Sequence, residues 1–162
     1  MPISVRQANR SWEALLTAHT ALLRAFGAEP VWRSFNLTIR EYDVLYTLAK
    51  AGEPVRIGEL QRNVLLSQPA LSRMVDRLTE RELLERVQDA ADGRAVRVRL
   101  TAAGQQVQRE VGLRHARSVA RRMGAALEES ELRELERLAG KLLAGVARAG
   151  ASTAADTRTK EQ

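Results

Sequence analysis

Apolar positions along this chain follow two rhythms, one near 3.6 residues and one of two. In residues 8–26, Trp12, Leu15, Leu16, Leu22, Leu23 and Phe26 recur at helical spacing, with His19 on the same face and Gly27 at the end. Glu29-Pro30 then permits a break or a short new helix anchored by Trp32 and Phe35. Thr38-Ile39-Arg40-Glu41 is a capping box, in which a hydroxyl and a carboxylate satisfy opposing orphan amides. It opens a helix through Tyr42, Leu45, Tyr46, Leu48 and Ala49 that stops at Gly52. Val55-Arg56 reads as extended, and Ile57 to Leu65 as a brief helix carrying Leu60 and Val64. Ser67 is placed to cap the next helix, which tolerates Pro69 in its first turn and turns Leu71, Met74, Val75 and Leu78 inward.

The rhythm changes at Leu84. Leu84 to Gln88 and Val96 to Leu100 read as strands joined by a turn through Asp92-Gly93, and in the second Val96, Val98 and Leu100 alternate strictly with Arg97 and Arg99. Thr101 is placed to cap a long helical stretch running to about Met123, with Val107, Val111, Val119 and Met123 apolar. A second stretch starts near Glu128 and carries Leu132, Leu135, Leu138, Leu142 and Val146. Beyond Gly150 the periodicity ends and a frayed tail is expected. The predicted fold class is mainly α with one small β-hairpin.

Composition narrows the class. With 162 residues, 44% hydrophobic and 28% charged, the chain suits one folded globular domain with an attached assembly element rather than a disordered segment. It has no cysteine, which excludes disulfides, thiolate zinc sites and thiol redox sensing and fits a reducing cytoplasm. No window approaches the roughly 18 apolar residues of a spanning helix. The opening MPISVRQANRSWEALL has no apolar signal core, so a soluble cytoplasmic protein without membrane contact is expected. The net charge is +6, and only Lys50, Lys141 and Lys160 among the cations are lysines. A field made of guanidinium groups matches phosphate bidentately, which makes nucleic acid the first partner to test. There is no Gly-rich phosphate loop, nucleophile elbow or metal-ligand spacing, so no catalytic residue, metal or cofactor is expected.

Two short helices with a tight connection, followed at once by a hairpin, describe a winged helix-turn-helix. Its recognition helix fits the major groove, and its hairpin reaches the backbone or the adjacent minor groove. With Leu71, Met74, Val75 and Leu78 inward, Pro69, Ser72, Arg73 and Asp76 turn outward, and Gln68 and Arg77 lie at the margins. Arginine can pair with guanine, glutamine with adenine, and a proline ring can touch a thymine methyl. Bland roles stand beside these. Arg73 also suits a solvated position near Asp76 or Arg77, Arg77 can pair with Glu80 one turn on, and Arg97 and Arg99 suit solvated charge at least as well as phosphate contact. Five arginines against Glu110 in residues 109–122 form either a solvated face or a source of long-range attraction for DNA.

The run from Asp92 to Gly104, DGRAVRVRLTAAG, resembles the wing signature D-x-R-x-x-x-V-x-L-T-x-x-G of MarR-type transcriptional regulators, and IGELQRNVLLSQPALSRMVDRLTERELLER resembles that family's helix-turn-helix. The resemblance extends over the helix order from about residue 10 to 147, with Gly27 to Asn36 matching poorly. It implies an N-terminal dimerisation region (1–36), a winged helix-turn-helix domain (37–104) and C-terminal dimerisation helices (105–149), followed by the disordered tail (150–162). The apolar stripes of residues 8–26 and 127–147 support this separately, since the winged unit is too small to cover both and a second copy would. Family likeness implies that Ser67, Gln68, Pro69, Ser72 and Arg73 face the groove, with Arg77 a weaker phosphate candidate. It further implies that Arg94 enters the minor groove and that Asp92 holds a nearby arginine.

The family also implies small aromatic or anionic effectors, for which His19, Trp32, Arg33 and Tyr46 are candidates. All six aromatics precede residue 47, so core packing is the competing role. The resulting expectation is a homodimeric regulator, most often a repressor, that reads a near-palindromic operator in double-stranded DNA and is released by an effector. The competing classes are a nonspecific architectural DNA-binding protein and a helical module whose winged unit binds protein.

Overall fold

The computed structural model describes residues 3–64, 66–89 and 96–160, with side chains as far as 148. Its elements run α1 (Val5–Gly27), α2 (Pro30–Ser34), α3 (Ile39–Ala51), β1 (Val55–Arg56), α4 (Ile57–Gln61), α5 (Gln68–Glu80), β2 (Leu84–Gln88), β3 (Val96–Leu100), α6 (Ala102–Gly124) and α7 (Glu129–Lys160). They form two compact units, Met1–Ser118 and Val119–Gln162.

Local chemistry sets the element ends in the first unit. Thr38 Oγ1 accepts from the Glu41 amide at 3.2 Å while Glu41 Oε2 accepts from the Thr38 amide at 2.8 Å, which completes the expected capping box. Gly52 closes α3 at φ 71°, a left-handed conformation that glycine adopts without steric cost. Asn36 and Glu82 hold the same hand, at φ 49° and 56°, and the next amide in each case reaches back to a helical carbonyl: Leu37 to Trp32 and Leu83 to Leu78. Thr101 caps α6 as expected, its hydroxyl accepting from the Gly104 amide at 3.0 Å.

The core gathers Leu45 and Leu48 of α3, Leu60 of α4, Leu71, Met74, Val75 and Leu78 of α5, Leu84 and Val98 of the sheet, and Val111 of α6. The expected hairpin is present, but β1 joins it to make a three-stranded antiparallel sheet in the order β1-β3-β2. Val98 and Leu100 face the core while Val96, at 45% exposure, does not, so the strict alternation overstates burial at the outer end of the strand. Where α6 begins, it presses on the turn before β2. A Cβ at Gly104 would stand 2.0 Å from the Leu83 carbonyl oxygen, and that Leu83 oxygen also accepts from the Thr101 amide at 3.2 Å.

His115 of α6 lies against Phe26, Trp32 and Tyr42 at ring distances of 5.2 to 5.7 Å. Ser118 hydrogen-bonds Glu29, and Arg114 lies 4.9 Å over the Phe35 ring, so α6 is tied to the α1–α2 corner. Two apolar stripes read from the sequence find little cover. In α1 only Phe26 is buried, while Trp12, Leu15, Leu16 and Leu23 stay 40 to 60% exposed.

The second unit is described by itself. Ion pairs of Arg133 with Glu129 and of Arg137 with Glu134 line α7, whose Leu135, Leu138, Leu142, Leu143 and Val146 are 41 to 73% exposed. The α7 backbone stays helical to Lys160, past Gly150, where order is expected to end. Alanines at 149, 151, 154 and 155 carry helix propensity without needing an apolar stripe.

Candidate nucleic-acid interface

α5 is held from behind and open in front. Its four inward side chains are buried, whereas Ser67, Gln68, Pro69, Arg73 and Arg77 are exposed and Ser72 is half-buried. The helical geometry read from the sequence is therefore the geometry found. Two arginines outside the helix brace it. Arg86 of β2 meets Asp76 at 2.5 Å, and Arg81, just past the helix end, lies 3.7 Å from Glu41 and donates to the Phe35 carbonyl at 3.4 Å.

Arg73 and Arg77 have no carboxylate within ion-pair distance among the described residues, so the Arg77–Glu80 pairing expected from their spacing does not form. Both side chains are exposed, and without an ion-pair partner among the described residues they suit anionic oxygens or base edges. Ser67 occupies the N-cap of α5, yet its hydroxyl makes no capping bond. Pro69 in the first turn has no amide to offer, and the Ser67 side chain stays free to face outward.

The arginines of the sheet behave differently. Arg99 pairs with Glu85, its direct cross-strand neighbour, at 2.8 Å. Arg97 bonds Asp89 at 2.9 Å and the Pro54 carbonyl at 3.0 Å. Arg99 is thus an exposed, paired charge, whereas Arg97 is half-buried and held on two sides. The contacts of Arg97 are set by strand register, between residues far apart in sequence, and helical or alternating patterns do not reveal them. Asp92 and Arg94 lie outside the described residues.

A groove of about 750 Å³ runs beside α3 and includes His19, Leu23 and Arg24 of α1, Arg40, Asp43, Tyr46 and Lys50 of α3, Val55 of β1, and Asn63, Val64 and Leu66 before α5. It brings together two of the four residues singled out for an effector, His19 and Tyr46. Trp32 is instead 3% exposed in the core, its Nε1 donating to the Phe26 carbonyl at 2.5 Å, and Arg33 is an exposed residue outside the groove. An indole that finds a backbone acceptor within the core has no polar atom left for a ligand. Burial pushes the Asp43 carboxyl above the usual carboxylate range, with His115 and Arg40 pulling it back, and burial likewise raises Tyr42. Among the described residues no three His, Asp or Glu side chains gather to hold a metal, and no helix is long and apolar enough to cross a membrane.

The MarR family model matches residues 35–95, which contain α3 to β2 and the segment after it. The HTH-type transcriptional regulator YhbI of Bacillus subtilis (strain 168) is 28% identical over 118 residues, 70% of this chain and 73% of its own. AbsC, a MarR family transcriptional regulator from Streptomyces coelicolor, superposes with a TM-score of 0.73 at 25% identity, over 92% of this chain and 99% of its own. NadR, solved in complex with 4-hydroxyphenylacetate, gives a TM-score of 0.70 at 25% identity over 91% and 98%. With its open α5 face and three-stranded sheet, the chain is similar over residues 35–95 to the MarR family model, and in fold over most of its length to winged helix-turn-helix transcriptional regulators of that family.

Proposed function

We propose that the chain acts in the cytoplasm as a homodimeric, sequence-specific repressor of a near-palindromic operator. The observation that carries this reading is the division of α5 into a buried stripe and an exposed face bearing Gln68, Pro69, Arg73 and Arg77. Arg73 and Gln68 read base edges, Ser67 and Ser72 fix the helix on phosphates, and Arg77 adds a phosphate contact. Arg94 enters the minor groove with Asp92 holding a neighbouring arginine, as the wing signature implies. The exposed apolar faces of α1 and α7 support a dimer, and a two-fold pair would set its half-sites about 10 base pairs apart.

The groove beside α3 supports a small aromatic acid as the releasing effector. His19, Arg24, Arg40 and Lys50 offer polar or cationic ends above an apolar floor, and NadR, of similar fold, is solved with 4-hydroxyphenylacetate. Such a ligand relieves repression only through unequal affinity for the DNA-competent and released arrangements.

Mobility shifts on a duplex that the protein selects from a randomised pool test the reading. Arg73→Ala should cost about 1–3 kcal/mol and relax preference at one position of each half-site, and Arg94→Ala should weaken binding as well. Equal affinity for random duplex, with neither variant having an effect, would instead identify a nonspecific architectural protein. Failure to bind any duplex at low salt would point to a protein-binding module.

A further inference from the structure

Just past the end of β2 stands a buried carboxylate, Asp89, that lies off the exposed face of α5. Asp89 is only 4% exposed, and its position follows from the strand register. Arg56 of β1 and Arg97 of β3 are direct cross-strand partners, and like charges so placed repel. Asp89 Oδ2 accepts from Arg56 Nε at 2.8 Å and from Arg97 Nε at 2.9 Å, and lies 2.5 Å from Arg56 Nη2. Arg97 Nη1 donates in turn to the Pro54 carbonyl at 3.0 Å. One carboxylate thus binds the end of β2 to both other strands, where the chain leaves for residues 90–95. The two side chains keep 41% and 29% exposure, so they stand at the surface while Arg56 Nε and Nη2 and Arg97 Nε and Nη1 are held by Asp89 and Pro54.

We infer that Asp89 is a positioning residue for DNA recognition. It fixes the root of the wing and withholds the Arg56 and Arg97 guanidiniums from phosphates. The wing then contacts DNA through its placement and not through undirected positive charge. This rests on the DNA-binding reading above. Asp89→Asn separates the charge from the shape, because asparagine keeps the size and an acceptor oxygen, and the partners left behind are partly solvated cations.

In Asp89→Asn, affinity for the duplex selected by the native protein should fall about tenfold while affinity for random duplex rises. The slope of log affinity against log salt should steepen by up to about two, since each added phosphate contact contributes about 0.9. Asp89→Glu, which keeps the charge, should return the slope toward the native value. A melting temperature lowered in Asp89→Asn, with slope and discrimination unchanged, would show a merely structural residue and overturn the inference. Amide exchange at Val96 and Arg97 without DNA supplies a second readout: faster exchange in Asp89→Asn is expected, and unchanged exchange would also overturn it. If the native protein selects no duplex, the DNA-binding reading fails, and amide exchange alone then judges the clamp.

Discussion

α5 and α1 carry apolar stripes of similar clarity, yet α5 buries all of its stripe within the chain and α1 buries little beyond Phe26. α7 resembles α1, with five large aliphatic side chains exposed along its length. Periodicity states that a helix face needs cover; it does not state what supplies it. For α5 the cover is α4 and β2, both nearby in sequence. For α1 and α7 the proposed cover is a second copy, and that contrast can be broken or sharpened by experiment.

The largest effect is expected at the uncovered faces. Leu142→Asp should turn a dimer into a monomer and lower affinity for a two-half-site operator by about 10²–10⁴-fold, because each winged domain would then bind alone. Sedimentation together with mobility shifts checks this, and a variant that stays dimeric would remove α7 from the interface. Next comes the covered face. Leu78→Ala should cost about 2–5 kcal/mol in urea unfolding, because Leu78 has 0% exposure and leaves a cavity when truncated. A loss below about 1 kcal/mol would mean that α5 is not seated in the core as described. Thr38→Ala removes one side of the capping box of α3 and should cost about 1 kcal/mol by the same measurement.

The smallest effect is electrostatic. Asp43 has its carboxyl raised in the folded state, so folding favours the protonated form. That contribution is full below the ordinary value of 3.8 and is lost as pH rises through the raised folded value. Asp43→Asn should therefore be slightly more stable than the native chain near neutral pH, with the gap closing in acid. A pH series of unfolding curves reads the sign directly, and a native chain favoured at neutral pH would refute it.

Local chemistry made much of the architecture legible in the sequence. The Thr38 box, the Gly52 stop, the inward stripe of α5 and the two strands all depend on residues within a few positions of one another, and each is found where its pattern places it. The candidate recognition face follows from the same stripe, since a helix with one face buried has its opposite face fixed. Contacts across the fold were not legible. Trp32 reads equally well as core or ligand wall until the Phe26 carbonyl is seen to satisfy its indole. The roles of Asp89, Arg56 and Arg97 depend on β1 joining the sheet, which a two-residue strand hardly signals. His19 and Tyr46 meet at one groove only because α1 returns beside α3, and spacing along the chain gives no hint of it.

Gly104 carries a mechanical consequence. Backbone meets backbone there, with no side chain between to deform or rotate. The long helix that starts at Ala102 can neither slide nor roll at that end without carrying Leu83, and Leu83 leads straight into the wing. The junction is a weld rather than a bearing: the first turn of the helix and the turn that leads into β2 move as one.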